Sequence, residues 1–481
     1  MRTRVKIFND MRSSKFYIGL LLALGIVFPL PLGAQNNAMQ GMAHKKSKSY
    51  IYPKEPEVLK QLDHWRDLKF GVLISWGIYN ELPGGNIGSW VLCAEDHDWI
   101  NPHRKVPYDE YKRNYRELIN KFKPDRFEPE AWAKAIKQGG VKYMIFITKH
   151  HDGFCLWDTK QTDFSIAHGA FRDNPRRDLV KEAFNAFRKE DFMIGAYFSK
   201  PDWFCPYYWW DFFATPDRNV NYNVKKYPDR WNKFKEYTYS QIEELTNGDY
   251  GKIDILWLDG GWVRPPQQDI DMPKIARMAR KYQPELLIVD RTVSGEYENY
   301  QTPEQEISGA QLETPWESCI TLGNAWEHLP GDTYKSSAKV IHILVEIVAK
   351  GGNLALGIGP AKDGTMPDEV VARLKEIGDW LKQNGKAIYN TRITHYYRDN
   401  NTWFTQSKDG EKIYAIVCLP EGEKTPAKIV WKGNEPARNS KLICLQTGKS
   451  VRWKKTAEGI EVSLPANLPD DLPAIAFEMS K

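Results

Sequence analysis

An aspartate at the end of a strongly apolar stretch is the first residue of this chain to suggest chemistry. Residues 255–258 read Ile-Leu-Trp-Leu, Asp259 comes next, and Gly260 and Gly261 follow. Such a run predicts a strand covered on both faces, as in a parallel sheet under helices. The glycines leave the carboxylate open to a ligand. Asp259 is therefore a candidate catalytic group, with capping of the next helix or bonding to loop amides as the alternative.

A second carboxylate would complete the pair that glycoside hydrolysis requires, one group ionised and the other protonated. Asp259 fits the ionised partner, because a cation such as Arg291 would stabilise its charge. Glu317, on a long connection, fits the proton donor. The neighbouring Pro315 and Trp316 lower the local polarity, and an apolar wall raises a carboxyl pKa.

Two adjacent histidines, His150 and His151, follow another predicted strand. Neighbouring residues of an extended segment point in opposite directions, so the pair is poorly placed to share one metal ion. The chain has no HxH or HExxH motif either, so we predict no metal site. At the end of a strand both imidazoles could instead donate hydrogen bonds to sugar hydroxyls, or one of them could bond the backbone.

Strand and helix signals alternate along residues 51–388, and polar residues cluster after the strands. This pattern predicts a (β/α)8-like barrel. A doubly wound open sheet is the alternative, but no GxGxxG or phosphate-binding loop follows any strand. Residues 389–481 contain short strands separated by turns, without helices, which predicts a C-terminal antiparallel β-sandwich of about eight strands.

The amino-terminal residues predict export. Basic residues precede an apolar segment from 18 to 32 that ends at Gly33-Ala34, which is typical of a cleaved secretory signal. We expect residues 1–34 to be removed, with translation starting at Met1 or Met11, and residues 35–50 to be a flexible leader. The mature protein is then periplasmic or extracellular, with no membrane insertion because no later segment has about 18 uninterrupted apolar residues.

Charge and cysteine content exclude further classes. A formal net charge of +5 over 481 residues, without a stripe of Lys and Arg interleaved with aromatics, argues against a nucleic-acid partner. Six cysteines are scattered without CxxC spacing, so they do not predict a metal site. An oxidising compartment permits disulfides, but we expect most of the six to be buried thiols.

Seven segments, in their order and spacing, resemble the α-L-fucosidases of glycoside hydrolase family 29. Together they span nearly all of residues 60–385. They are KFGVLISWG at 69–77, KHHDGFCLW at 149–157, DLV at 178–180, ILWLDGGW at 255–262, DR at 290–291, WESCIT at 316–321 and GNLALGIGP at 352–360. The segment NYQTPE at 299–304 also resembles the branch of the family that prefers fucose linked α1,3 or α1,4 to a branched acceptor.

The resemblance implies a retaining exo-α-L-fucosidase that uses no metal or other cofactor and acts on fucosylated oligosaccharides or glycoconjugates. It carries the nucleophile over to Asp259 and the acid/base to Glu317. Substrate-binding positions that it implies are His150, His151, Trp90, Arg291, Ser75, Trp76, Trp262 and Trp326.

Four positions depart from the family pattern. Ser75 replaces a histidine that hydrogen-bonds the sugar, Ser89 replaces a glutamate, Glu327 lies where a glycine is usual, and Gly357 replaces an asparagine. Two alternatives therefore stay open. One is an α-L-galactosidase or related α-L-glycosidase with the same mechanism. The other is an inactive glycan-binding protein, against which the presence of both carboxylates argues.

Overall fold

The computed structural model of the protein describes residues 50–93, 97–211 and 218–480. The predicted signal peptide and residues 35–49 of the predicted leader lie outside these ranges. The described α-helices are α1 Pro56–Leu68, α2 Gly85–Ser89, α3 Tyr108–Arg116, α4 Pro129–Gln138, α5 Leu179–Lys189, α6 Pro228–Thr246, α7 Met272–Tyr282, α8 Ser337–Ala349 and α9 Asp368–Asn384. Short 3-10 helices occupy Ile78–Glu81, Trp90–Cys93, Asn101–His103, Glu117–Asn120 and Gly385–Ala387.

Seven parallel strands form the first sheet, in the order β5-β4-β3-β2-β1-β7-β6. They are β1 Phe70–Ile74, β2 Tyr143–Lys149, β3 Met193–Ser199, β4 Ile255–Asp259, β5 Leu287–Asp290, β6 Glu317–Thr321 and β7 Asn353–Ile358. Every residue of these strands is buried, as expected for a parallel sheet under helices. A helix follows β2, β3, β4, β6 and β7. The predicted (β/α)8-like barrel is confirmed.

An irregular segment, residues 298–304, occupies the eighth position of the barrel between β5 and β6. Glu298 pairs antiparallel with Val289 of β5, and Glu304 pairs in parallel with Cys319 of β6. The amide of Cys319 in turn donates to the carbonyl of Pro303 at 3.1 Å. The barrel is thus completed by backbone hydrogen bonds from a segment that contains no regular strand.

Helix α1 covers the end of the barrel where the strands begin. Val58, Leu62 and Trp65 belong to the same buried cluster as the barrel interior, and the Trp65 ring stacks on Tyr300 with centroids 4.0 Å apart. Burial of this apolar face stabilises the barrel by about 25 cal/mol per Å² removed from water. The amino-terminal end of the barrel is therefore closed, and the opposite end is the one available for a site.

Eight antiparallel strands follow, hydrogen-bonded in the order β11-β14-β13-β12-β15-β10-β9-β8. They are β8 Thr391–Asp399, β9 Thr402–Ser407, β10 Lys412–Cys418, β11 Lys428–Trp431, β12 Leu442–Cys444, β13 Lys449–Thr456, β14 Gly459–Ser463 and β15 Ala474–Ser480. Trp431 of β11 contacts Phe477 of β15 at a centroid distance of 5.6 Å. Because these strands are not neighbours in the sheet, the sheet folds back on itself around its own core.

Helices α8 and α9 connect the two sheets. The Trp380 indole N–H on α9 donates to the carbonyl of Ala474 at 2.8 Å, and His342 on α8 contacts the Pro473 carbonyl at 2.7 Å. All six cysteines are buried free thiols, which confirms the expectation for most of them. Within the described ranges, no helix is both long and apolar enough to cross a membrane.

Candidate active site

Asp259 ends β4, and polar partners surround its side chain, which is 12% exposed. Arg291 Nη1 donates to Oδ1 at 2.8 Å, and the Tyr197 hydroxyl donates to Oδ2 at 2.7 Å. The Gly260 amide also donates to Oδ1 at 2.8 Å, and His151 Nε2 lies 3.7 Å from Oδ2. Asp259 is thus held as a carboxylate at the open end of the barrel.

The environment of Asp259 favours its ionised form. Burial alone would raise the pKa of this carboxyl, but the charge of Arg291, together with His151 and the Tyr197 hydroxyl, lowers it well below the usual range. An anion in a partly buried site needs this compensation, because desolvation penalises the charged form. Arg291 therefore lies where the sequence predicted a cation beside Asp259.

The two glycines after Asp259 allow close packing of neighbouring loops. Gly260 has φ +84°, and a Cβ at this position would lie 2.3 Å from Pro201. At Gly261 a Cβ would lie 2.0 Å from Oγ1 of Thr292. Only glycine fits such contacts. Besides leaving the carboxylate accessible, the glycines therefore let the loops after β3 and β5 pack against the loop that follows β4.

Glu304 is the second carboxylate at this end of the barrel. Its Oε2 accepts from Arg291 Nη2 at 2.6 Å, and its side chain is 20% exposed. Arg291 Nε also approaches Thr302 Oγ1 at 3.3 Å. Asp259 and Glu304 therefore bind different nitrogens of the same guanidinium. Sequence reasoning missed Glu304, although it lies within the segment 299–304 that was singled out for its resemblance to one branch of the family.

Glu317 does not lie beside Asp259. It is the first residue of β6 and is 0% exposed. The Tyr143 hydroxyl donates to Oε2 at 2.7 Å, and the Trp257 indole N–H donates to Oε1 at 3.2 Å. Because Tyr143 begins β2, this cluster lies toward the amino-terminal end of the strands. The predicted proximity of Glu317 to Asp259 is wrong, since the Glu317 side chain is enclosed in the barrel interior.

The environment of Glu317 is nevertheless the apolar one that its neighbours predicted. Burial raises the pKa of Glu317 to about 7, although hydrogen bonds from Tyr143 and Trp257 oppose the shift. Trp316 is itself 1% exposed. The local sequence thus indicated burial correctly. The carboxyl, however, lies on the side of Trp257 toward the amino-terminal end of the strands, away from the end that a ligand can reach.

His150 and His151 lie together after β2, both buried, with ring centroids 4.3 Å apart. Burial lowers the pKa of His150 to about 4 and that of His151 well below its usual value. Within the described residues, Nδ1 of each ring is buried without a hydrogen-bond partner. Such atoms are costly to leave unpaired, so a ligand that pairs them gains binding free energy. In those residues no three His, Cys, Asp or Glu side chains form a metal-ligand group.

Three tryptophan rings surround His151. Trp90, Trp203 and Trp262 approach it edge-on, with centroids 5.5, 5.3 and 5.2 Å from the imidazole. The Arg218 guanidinium carbon lies 5.0 Å from the centroid of the Trp90 ring. The structure therefore brings Trp90 and Trp262, both predicted as substrate-binding residues, to the end of the barrel where Asp259 lies. Trp203, which was not predicted, completes this aromatic wall.

Ser75 and Trp76 have different positions. Ser75 Oγ is 3.2 Å from the Tyr79 hydroxyl, and the Tyr79 ring packs edge-on against His150 at 5.6 Å. Ser75 is thus close to the histidine pair. Trp76 is 0% exposed and packs against Phe122, Phe127 and Trp132. The prediction that Trp76 contacts substrate is wrong, because its ring lies in the core outside the barrel strands.

Trp326 and two of the departures from the family pattern lie close together. Trp326 is half-buried and packs against the barrel core. A Cβ at Gly357 would lie 2.9 Å from the Trp326 ring, so this glycine makes room for the indole. Glu327 is buried, and its Oε1 accepts the Asn86 amide proton at 2.6 Å. Glu327 therefore anchors the start of α2, the helix that precedes Trp90.

Known proteins resemble this chain in sequence and in fold. Human plasma alpha-L-fucosidase is 29% identical over 380 residues, covering 74% of this chain and 76% of that protein. The structure of alpha-L-fucosidase isoenzyme 1 from Paenibacillus thiaminolyticus has a TM-score of 0.72 and 28% identity, covering 88% of this chain and 99% of its own. The structure of Thermotoga maritima alpha-fucosidase in complex with fucose has a TM-score of 0.70 and 26% identity, covering 89% of this chain and 100% of its own. The family model described as alpha-L-fucosidase matches residues 37–386, and the chain therefore belongs to this family of glycoside hydrolases.

Proposed function

We propose that this protein is a retaining exo-α-L-fucosidase that removes terminal α-L-fucosyl residues from glycans, with Asp259 as nucleophile and Glu304 as acid/base. The observation that carries this proposal is the bridge from Arg291 to both carboxylates. A shared guanidinium favours the short carboxyl separation of retaining enzymes, about 5 Å, over the longer one of inverting enzymes. Similarity to alpha-L-fucosidases, one of them solved with fucose, supports the choice of sugar.

In the first step an oxygen of Asp259 attacks the anomeric carbon, and the bond from that carbon to the leaving oxygen breaks. Glu304 donates its proton to the leaving oxygen, so the aglycone departs as an alcohol. In the second step Glu304 takes a proton from water, and the water oxygen attacks the same carbon. The ester bond to Asp259 breaks, which releases the sugar with its original anomeric configuration.

Arg291 has a different effect in each state of this cycle. In the free enzyme it holds the Asp259 carboxylate in place, with one oxygen on Nη1. When Asp259 becomes an uncharged ester, the guanidinium still contacts Glu304 through Nη2, so it continues to orient the carboxylate that must accept a proton from water. Preorganised charge of this kind requires no rearrangement during the reaction.

The sugar would bind against the imidazoles and the aromatic wall. His150 and His151 are neutral, so each ring can donate one hydrogen bond and accept another. Their buried Nδ1 atoms offer unsatisfied positions to hydroxyl groups. Trp90 and Trp262 supply apolar surface, onto which the C–H face of a pyranose or its methyl group can pack.

The proposal is tested with aryl α-L-fucosides whose leaving groups differ in acidity. Asp259→Ala should lower kcat/KM by at least about 10³-fold for every substrate, because no covalent step remains. Glu304→Ala should retain the first step only for acidic leaving groups, and azide should restore turnover. Glu306→Ala, two residues further along the chain and with an exposed side chain, is the matched control and should resemble the wild type.

Two outcomes would contradict this proposal. Normal turnover by Asp259→Ala would show that Asp259 is not the nucleophile. Tight fucose binding by the wild type without hydrolysis would favour a glycan-binding protein. The same assay should include aryl α-L-galactosides, since Ser75 and Tyr79 place two hydroxyls beside His150 that could bond an extra hydroxyl on C6. A fucoside preference above about tenfold, which is about 1.4 kcal/mol, excludes that sugar.

We also propose that the protein is exported to the periplasm or the cell exterior, where it would act on fucosylated glycans. The basic start and the apolar segment from 18 to 32 support this proposal. Mass spectrometry of the secreted or periplasmic fraction should give a mature amino terminus near Gln35. Retention of residues 1–34 in the soluble cellular fraction would contradict it.

A further inference from the structure

Glu317 is a buried carboxyl that the proposed reaction does not use. It has no exposed surface, and its oxygens accept from Tyr143 at 2.7 Å and from Trp257 at 3.2 Å. The Cys319 thiol lies 3.7 Å from Oε1. A carboxyl that costs several kcal/mol to bury is expected to have a function in the structure or in the chemistry.

Trp257 connects this carboxyl to the hydrogen-bond partners of Asp259. Its ring stacks on Tyr197 with centroids 5.2 Å apart, and the Arg291 guanidinium carbon lies 4.8 Å from the ring centroid. Both of these neighbours bind Asp259 directly, through Tyr197 OH at 2.7 Å and Arg291 Nη1 at 2.8 Å. One indole therefore supports two of the hydrogen-bond donors to the nucleophile.

We propose that Glu317 is a positioning residue, which fixes the Trp257 ring through the indole N–H and thereby holds Tyr197 and Arg291 against Asp259. The inference rests on the proposed function, in which Asp259 is the nucleophile. It assigns no proton transfer to Glu317. The side chain acts only by accepting hydrogen bonds in the barrel interior.

A proton donor and a positioning residue at Glu317 predict opposite behaviour for the amide variant Glu317→Gln. In Glu317→Gln the amide oxygen can still accept from Trp257. The new NH2 group can donate to the Tyr143 hydroxyl, which can turn its own proton to the Leu354 carbonyl, now 3.3 Å away. Burial raises the pKa of Glu317 to about 7, so a neutral amide resembles the form that is populated below neutral pH. A general acid replaced by an amide would instead be unable to give up a proton.

The experiment compares Glu317→Gln, Glu317→Leu and Trp257→Phe with the wild type on aryl α-L-fucosides of good and poor leaving groups. Glu317→Gln should stay within about threefold of wild-type kcat/KM. Glu317→Leu, which leaves the indole N–H unpaired, and Trp257→Phe, which lacks that donor, should each lower kcat by at least tenfold. The loss should be the same for every leaving group, with little change in KM and no rescue by azide.

The double variant Glu317→Leu/Trp257→Phe tests the connection itself. If Glu317 acts through the indole N–H, the kcat of the double variant should be no lower than that of the less active single variant, because the effects of residues that act as a unit are not additive. Losses that multiply would show that the two side chains act separately and would overturn the inference. Thermal unfolding of each variant shows whether it is folded, and if Glu317→Leu is not, Glu317→Gln and Trp257→Phe decide the question.

Two further results would overturn the inference. Loss of more than about 100-fold in Glu317→Gln on poor leaving groups, with rescue by azide, would make Glu317 the acid/base. Wild-type rates in both Glu317→Leu and Trp257→Phe would leave it without a positioning role. Failure of the proposed function is seen separately, because the wild type and Asp259→Ala test the activity and the nucleophile, and Glu304→Ala tests the acid/base.

Discussion

One guanidinium organises the proposed chemistry at the scale of single residues. Arg291 contacts Asp259 through Nη1 and Glu304 through Nη2, and it is nearly buried. A lysine carries the same charge on a single nitrogen and cannot reproduce this planar fork. The geometry of the pair, rather than charge alone, therefore depends on arginine at this position.

We expect Arg291→Lys to lower kcat/KM for aryl α-L-fucosides by at least about 100-fold, because the ammonium group can hold only one of the two carboxylates well. Steady-state kinetics with good and poor leaving groups measure the loss. Arg277→Lys, an exposed position on α7, is the matched control. Retention of more than half of the activity by Arg291→Lys would show that the bridge is dispensable.

Local sequence located the proposed nucleophile and misplaced the residue that it predicted as proton donor. Asp259 could be predicted because it ends an apolar strand, and the ends of parallel strands form the site of a barrel. The apolar neighbours of Glu317 correctly indicated burial. They could not show on which side of Trp257 the carboxyl would lie, since this depends on contacts with Tyr143 and Trp257, which are 174 and 60 residues away. For the same reason the local pattern did not single out Glu304. Its contact with Arg291 depends on how residues 298–304 pack between β5 and β6.

At the scale of elements, the departure at Glu327 has a structural effect. Its carboxylate accepts the Asn86 amide proton at the start of α2, and burial raises its pKa to about 7. In the unfolded chain the pKa returns to about 4.5. Between these values the folded protein binds a proton that the unfolded chain has released, so the stabilisation is present below about pH 4.5 and is lost as the pH rises through about 7.

Glu327→Gln should therefore remove one part of the pH dependence of stability. Between pH 5 and pH 8 the wild type should lose up to about 3 kcal/mol more of its unfolding free energy than the variant, at 1.36 kcal/mol per pKa unit. Denaturant unfolding at several pH values measures the difference, and other titrating groups cancel between the two proteins. Glu110→Gln, at an exposed position, is the control. If the unfolding free energies of the wild type and Glu327→Gln changed with pH in the same way, the raised pKa of Glu327 would be contradicted.

Most element positions followed from the sequence, and the exception has a physical reason. Helices α7 and α9 belong to the alternation of strands and helices predicted for residues 51–388, because Met272–Tyr282 and Asp368–Asn384 are amphipathic and periodicity reports the buried face. The eighth barrel position was not predicted. Residues 298–304 pair with β5 and β6 only through isolated bridges, and such a segment carries no alternating pattern that a sequence could reveal.

At the scale of the whole molecule, the barrel and the antiparallel sheet share buried contacts. Trp380 on α9 is 5% exposed, and its indole N–H donates to the carbonyl of Ala474 on β15. Asn384 at the end of the same helix accepts from the Ala476 amide and donates to Gln446. None of these residues is among the hydrogen-bond donors to Asp259 described above. They should therefore affect stability and leave the chemistry of the folded protein unchanged.

We expect Trp380→Ala to lower the free energy of unfolding by about 3 kcal/mol or more, through loss of apolar packing and of the hydrogen bond to Ala474. KM and kcat measured well below the melting temperature should stay within about twofold of the wild type. Trp380→Phe, which keeps most of the ring contact, is the matched variant and should recover part of the loss. A fall in kcat at full folding would instead show that this interface influences the site.

Helix α1 and the antiparallel sheet are joined by charge. Asp63 and Asp67 on α1 each form ion pairs with Arg392 on β8 and with Lys408 just after β9. A ribosome produces the helix more than 300 residues before these partners emerge. Helix α1, which covers the amino-terminal end of the barrel, thus forms its last ion pairs near the end of synthesis. In a nascent chain that stops before Lys408, the helix would lack some of these ion pairs. Under the proposed export, such a delay would help to keep the chain unfolded until it has crossed the membrane.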